Sequence, residues 1–261
     1  MFPPNLPPVK NKFLYAYRVF IKWFSFFYFG VTSIILSILI LPPMRLCLHP
    51  KERFRKYARH FVSLSFRSFI NIMHLLGIVN LEPGDKKPYK TIQSKIVVAN
   101  HPSLLDVVML ISLIPNADCV VASYLKYSIL KFIVSQLYIV SSDDYEYLFK
   151  ECEKSLKAGN CLIVFPEGTR TPRTGKNPVK KGAARIALTS GCNIVPVHIG
   201  GTDKFGLGKK DPWSGFNPTE RYVYKLTMKP EINTEKYKNY PRPAATRLLT
   251  KDISSVLFPE K

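Results

Sequence analysis

The first long hydropathy feature is an uncharged run over residues 23–41, W-F-S-F-F-Y-F-G-V-T-S-I-I-L-S-I-L-I-L. As a helix rising about 1.5 Å per residue it is roughly 28 Å long, close to the hydrocarbon thickness of a bilayer. Pro42 and Pro43 predict a sharp stop. The following P-P-M-R-L-C offers no small-residue cleavage site, so the segment is expected to be retained rather than removed. Both flanks are basic, with Lys10, Lys12, Arg18 and Lys22 before it and Arg45, Lys51, Arg53, Arg55, Lys56 and Arg59 after it. The positive-inside rule therefore gives no orientation, and a helical hairpin that enters one leaflet and returns accommodates both flanks. Between residues 56 and 74, polar side chains recur at Lys56, Arg59 and His60, Ser63, Arg67, Asn71 and His74, in steps of three or four. Tyr57, Phe61, Leu64, Phe69, Ile72, Met73 and Leu76 fill the rest, the pattern of an amphipathic helix with a basic stripe lying on a membrane surface. A core helix packed on the following domain fits the same pattern.

After a turn-rich break at residues 82–88 the pattern changes. Short apolar runs of strand character at residues 95–99, 119–122, 138–140, 161–165, 194–199 and 222–228 alternate with helical stretches at 103–114, 124–136, 145–158, 182–190 and 244–257. The expected fold class is α/β, a mainly parallel sheet flanked by helices and preceded by an N-terminal membrane-associated helical hairpin. The expected division is a two-helix segment over residues 1–80 and an α/β domain over residues 81–261. In such sheets functional residues gather beyond the carboxyl ends of strands.

Composition sharpens the picture. At 46% hydrophobic residues the chain buries a full core, and disorder is excluded. A formal charge of +20 requires an anionic partner: nucleic acid, a phospholipid surface or an acidic substrate. Cys47, Cys119, Cys152, Cys161 and Cys192 lack the spacing of a metal site or disulfide framework, and no metal is expected.

Two strand ends carry candidate chemistry. In V-V-A-N-H-P-S-L-L-D-V-V an apolar strand ends at Ala99, and Pro102 suits the first turn of a helix. On a continuous helix His101 and Asp106 would lie about 140° apart. They meet only if His101 sits in the preceding turn and folds back. A histidine held by a carboxylate has a fixed tautomer and raised basicity, as a general base for a hydroxyl needs. A capping histidine beside a solvated acid is the bland alternative. In C-L-I-V-F-P-E-G-T-R, Gly168 permits positive φ, while Glu167 and Arg170 offer an acceptor and a bidentate donor. A strand-ending turn with a surface ion pair is the alternative there.

Taken together, N-H-P-S-L-L-D and F-P-E-G-T-R, about sixty residues apart, resemble the first and third motifs of the glycerolipid acyltransferase family, which includes the lysophosphatidic acid acyltransferases. His101 and Asp106 match H-x-x-x-x-D, and I-V-P-V-H-I at residues 194–199 resembles the proline-containing fourth motif. The resemblance implies an O-acyltransferase of phospholipid biosynthesis in which His101, oriented by Asp106, deprotonates an acceptor hydroxyl. That hydroxyl attacks the thioester of acyl-acyl carrier protein or acyl-coenzyme A, a co-substrate rather than a bound cofactor. Glu167, Gly168, Thr169 and Arg170 would bind the acceptor, expected to be 1-acylglycerol-3-phosphate. Arg173, Lys180 and Lys181 would contact a phosphate or the carrier protein. Ser103 is assigned to the helix start, since no G-x-S-x-G elbow exists.

One stretch departs from the family. Its second motif places an arginine after a strand, whereas residues 137–144 here read L-Y-I-V-S-S-D-D. Members associated with aryl polyene lipid assembly are similar around N-H-P-S-L-L-D, so a non-phosphate lipid acceptor stays open. So does a non-enzymatic basic membrane-binding module, which would bind in a salt-sensitive way without His101. A P-loop is excluded because Asn177 stands where Ser or Thr is needed, and Lys176, Lys180 and Lys181 read most simply as a solvated face. The expected partners are an anionic phospholipid membrane, a lipid acceptor and an acyl carrier protein, with no nucleic acid. The expected location is the cytoplasmic face of a membrane, a bacterial inner membrane.

Overall fold

The computed structural model describes residues 6–127, 131–142, 144–175 and 177–258. Helix α1 (Lys12–Ile35) starts at Asn11, whose side chain accepts from the Leu14 N–H at 2.9 Å. It passes through a π-helical turn at Leu36–Ile40 into α2 (Leu41–Cys47). The stop expected at Pro42 and Pro43 is therefore corrected. The Leu41 N–H bonds back to the Leu36 carbonyl, and the wide turn re-spaces the ladder so that both prolines fall in the first turn of α2. The helical run Lys12–Cys47 is long and apolar enough to cross a membrane.

Helix α3 (Lys51–Leu75) returns antiparallel to α1. Tyr28 stacks on Phe69 with ring centroids 6.3 Å apart, Phe29 meets Phe66 at 5.8 Å, and the Tyr17 hydroxyl donates to the Leu76 carbonyl at 3.1 Å. The basic stripe expected on α3 is also corrected. Arg59 is buried and forks onto both Asp118 oxygens at 2.6 and 2.9 Å, and Arg67 donates to the Ser112 carbonyl at 3.0 Å. Tyr57, Phe61, Leu64 and Leu75 are exposed instead, as are Phe13, Phe20 and Phe27 on α1. A buried carboxylate demands a counter-charge, so Arg59 turns inward while the apolar side chains face out.

The sheet follows from β1 (Val79–Glu82), a strand the hydropathy pattern does not disclose. After α4 (Lys87–Lys90) come β2 (Ile96–Ala99), α5 (Asp106–Leu113), β3 (Ala117–Val121), α6 (Lys131–Leu137), β4 (Ile139–Val140) and α7 (Tyr145–Lys157). Then follow β5 (Cys161–Val164), α8 (Gly182–Ser190), β6 (Ile194–Gly201), β7 (Tyr222–Met228) and α9 (Arg242–Leu257). The described strands form one seven-stranded sheet in the order β1-β7-β6-β2-β5-β3-β4. Pairing is parallel except between β6 and β7. Of the helix expected over residues 124–136, residues 128–130 lie outside the described residues.

Side chains alternate across β2, as a strand's two-residue period requires. Val97 and Ala99 face a core shared with Phe54, Met73 and Met109; Ile96 and Val98 face one shared with Leu156, Ala184 and Leu249. The first core joins Leu41, Phe54 and Met73 of the N-terminal helices to Tyr224 of the sheet. The division expected between residues 80 and 81 thus falls inside β1 and across a continuous core.

Candidate active site

The turn that carries His101 forms where β2 ends at the centre of the sheet. Asn100 pins that end to β6: its amide donates to the Ile199 carbonyl at 2.9 Å, and its carbonyl accepts from the Ile199 N–H at 2.7 Å. The chain then turns through residues 101–105 before α5 begins at Asp106, so His101 stands outside the helix and folds back over it. Its Nδ1 lies 2.7 Å from Asp106 Oδ2. Asp106 is fully buried, whereas the His101 side chain is 18% exposed, enough to meet a substrate. The His101 ring also stacks on Phe165, with centroids 4.2 Å apart.

Asp106 accepts from every side. Its Oδ2 takes the Ser103 N–H at 2.7 Å and its Oδ1 takes the Ser103 hydroxyl at 2.6 Å. Because a carboxylate only accepts, Nδ1 is the donor in this pair, and Nε2 lies on the side of the ring away from Asp106. Ser103 is thus fully engaged behind the pair.

The F-P-E-G-T-R turn packs beside this one, and its Glu167 and Arg170 side chains are engaged within the protein. Glu167 is 1% exposed. It accepts from the His101 N–H at 3.3 Å, from the Thr171 hydroxyl and from the Asn177 amide at 2.8 Å, so its carboxylate braces the His101 turn. Thr171 completes the clasp, accepting from the His101 N–H at 2.9 Å and donating its own N–H to the His101 carbonyl at 2.7 Å. Arg170 Nη1 donates to the carbonyls of Leu207 and Gly208 at 3.0 and 2.9 Å, and Arg173 pairs with Asp203. Gly168 is exposed at φ +65, and Thr169 beside it is half-buried. An added Cβ at Gly168 would sit 2.8 Å from Lys180 Nζ, which places that ammonium over the turn. Lys181 is exposed at the start of α8. Lys176 lies outside the described residues, as does Asp143 of the departing second motif. Asp144 of that motif caps α7, accepting from the Tyr147 N–H at 3.0 Å.

The loop that Arg170 grips forms a third wall. The Leu104 N–H of the His101 turn donates to Leu207 O at 3.0 Å. From the other side Lys22 of α1, 1% exposed, donates to the carbonyls of Trp213 and Gly215 at 2.6 and 2.5 Å. Lys22 is therefore not a membrane flank, as its sequence position implied, but a clamp on the active-site loop. Arg18 and Lys22, one helical turn apart at the head of the uncharged run, are the signal that could have found it. Lys204 is buried nearby and holds the carbonyls of Gly200, Thr202 and Val223. Burial pulls it down to about 8, opposed by the charges of Asp106, Asp203 and Glu220. A cavity of about 820 Å³ lined by Arg53, Lys56, Asp118 and Lys154 opens instead near the amino ends of β3 and β5, away from His101.

Residues 80–200 match the family model described as Acyltransferase. This segment carries the chain's likeness to acyltransferases. Its geometry is similar to the crystal structure of a 1-acyl-sn-glycerophosphate acyltransferase from Thermotoga maritima, with a TM-score of 0.67 and 20% identity, covering 91% of this chain and 94% of that one. A chloroplastic 1-acyl-sn-glycerol-3-phosphate acyltransferase of Brassica napus is 29% identical over 188 residues, covering 67% of this chain and 52% of the relative. A 1-acyl-sn-glycerol-3-phosphate acyltransferase of Saccharomyces cerevisiae is 32% identical over 155 residues, covering 53% and 49%. The chain spans about half the length of these curated relatives. The matched segment contains His101, Asp106, Glu167 and Arg170, whereas Lys22, Lys204 and Tyr224 reach the site from outside it.

Proposed function

We propose that the protein transfers a fatty acyl group from a thioester to the hydroxyl of a lysophospholipid, 1-acylglycerol-3-phosphate, with His101 as general base. The observation that carries this reading is the 2.7 Å contact between His101 Nδ1 and a fully buried Asp106, with the His101 side chain itself 18% exposed. The acceptor O–H proton passes to Nε2 as the alkoxide oxygen attacks the thioester carbonyl carbon. The C–S bond then breaks, and the departing thiolate takes that proton from the imidazolium. No acyl-enzyme forms. A base so placed contributes about 10²–10⁴-fold in rate.

Gly168, Thr169 and Arg170 line the acceptor site, and Glu167 positions the His101 backbone. Lys180, over the turn, together with Arg173 and Lys181 at its rim, supplies charge for a phosphate or an acyl carrier protein. The exposed apolar side chains of α1 and α3 enter the bilayer, and Arg45, Lys51, Arg53 and Lys56 between them meet anionic headgroups at about 1 kcal/mol each. The site then opens to lipids at the cytoplasmic face of the membrane.

A second reading, an acceptor without phosphate, is favoured by one observation. Arg170 and Arg173 are already engaged, by the Leu207 and Gly208 carbonyls and by Asp203. Incubating the protein with labelled acyl-acyl carrier protein or acyl-coenzyme A and a panel of charged and neutral lysolipids decides between the two. Product from 1-acylglycerol-3-phosphate, lost in His101→Ala, is expected. Acylation of neutral acceptors alone favours the second reading, and undiminished turnover in His101→Ala removes the general base.

A further inference from the structure

Behind the His101–Asp106 pair lies a buried polar chain that ends on a different strand. Tyr224 of β7 is fully buried, and its hydroxyl is 2.7 Å from Ser103 Oγ. Proton counting fixes the direction of that bond. Ser103 has one hydroxyl proton, and Asp106 Oδ1, 2.6 Å away, only accepts. Ser103 therefore donates to Asp106, and Tyr224 donates to Ser103. The phenol remains protonated for this task, because burial and the Asp106 charge push its pKa well above 10. The Lys204 ammonium lies 4.6 Å from the centroid of the Tyr224 ring, where a cation is attracted to the π face.

We propose that Tyr224 is a positioning residue for acyl transfer, holding Asp106 against His101 through Ser103. This inference rests on the general-base reading of His101. Ser103 Oγ has one further donor, the Leu105 N–H at 3.2 Å, which lies in the same turn and cannot fix that turn against the sheet. Tyr224 is 121 residues away in sequence, on a strand hydrogen-bonded to β6, and its phenol is a rigid strut with two torsions. Without the phenol oxygen, Ser103 turns more freely. The Asp106 carboxylate then no longer has one preferred rotation, and the imidazole it holds loses its aim. Chains of buried hydrogen bonds strengthen one another, so the loss is transmitted beyond the broken bond.

The test is Tyr224→Phe, which keeps the ring and deletes the donor. The expected result is a kcat about tenfold lower or less, with KM for the thioester and the acceptor unchanged, since misplacement of a catalytic group acts on the chemical step. The low-field proton resonance of His101 Nδ1–H, identified by its absence in His101→Ala, is expected to move or broaden. A merely structural tyrosine would lower thermal stability and leave that resonance in place. If Tyr224→Phe fails to fold, 3-fluorotyrosine incorporated at 224 preserves shape and hydroxyl while strengthening the donor, and the resonance must shift. A wild-type kcat with an unmoved resonance in Tyr224→Phe, or an unmoved resonance in the fluorinated protein, overturns the inference. Failure of the general-base reading is seen separately, as turnover that survives His101→Ala.

Discussion

The ammonium of Lys22 lies 2.6 Å from the carbonyl oxygen of Trp213, which ties the apolar N-terminal helix to the loop beside the His101 turn. The same loop is held from inside by Arg170 and Leu104. A helix long and apolar enough to cross a membrane and the proposed site are thereby linked through one side chain.

Lys22→Met should separate the two. It leaves the Trp213 and Gly215 carbonyls without their buried donor, at a cost of about 1–3 kcal/mol, while adding to the apolar helix surface. Vesicle sedimentation should be unchanged and kcat/KM should fall by about tenfold or more. Equal activity at equal membrane binding would show that the loop is held well enough by Arg170.

Deletion of residues 1–80 should yield an insoluble chain. Phe54, Val62, Phe69, Ile70 and Met73 are buried in the core that α3 shares with α1, α5 and the sheet, and each contributes about 1.5–3 kcal/mol. Their sum is comparable to the whole stability of a domain, about 5–15 kcal/mol. A soluble, cooperatively melting fragment would show that the sheet folds without α3.

Asp118→Ala should destabilise the protein by about 3–5 kcal/mol, because it strands the Arg59 guanidinium, 7% exposed, without its carboxylate. Arg59→Met combined with Asp118→Leu should cost less than the single change. Denaturant midpoints of the three proteins in one detergent test this. An additive double variant would mean that the pair is not coupled.

Lys204 gives a pH signature. Its folded value of about 8 lies below its usual 10.5, so between these limits the unfolded chain keeps a proton that the folded chain has lost. Stability from this group therefore rises as pH increases from about 8 towards 10.5, and its penalty is complete below that window, at no more than about 3 kcal/mol. Lys204→Met should flatten that rise in unfolding free energy measured across the window. A wild-type curve no steeper than the variant's would show that the three carbonyls hold the ammonium charged.

Gly168→Ala should lower stability by about 1–2 kcal/mol, since φ +65 is a left-handed conformation that costs a side chain this much. The added methyl must also displace Lys180, so the acceptor KM should rise with the thioester KM unchanged. Both are read from a thermal melt and steady-state kinetics.

Local rules act over a few residues, and the features they govern were readable from the chain. The two-residue period of β2, β5 and β6, the break after an apolar strand that frees His101 to fold back on Asp106, and the long uncharged helix all depend on near neighbours. What required the tertiary structure depends on contacts between distant segments. Arg59 reads as a surface cation until Asp118 is placed beneath it, and Lys22 as a membrane flank until the 206–215 loop arrives to accept its protons. Nothing near Glu167 in the chain points to the His101 backbone that donates to it, and nothing near Tyr224 points to Ser103. A buried polar group takes whichever partner folding brings within reach, and that partner is set by the packing of the whole sheet rather than by the neighbouring sequence.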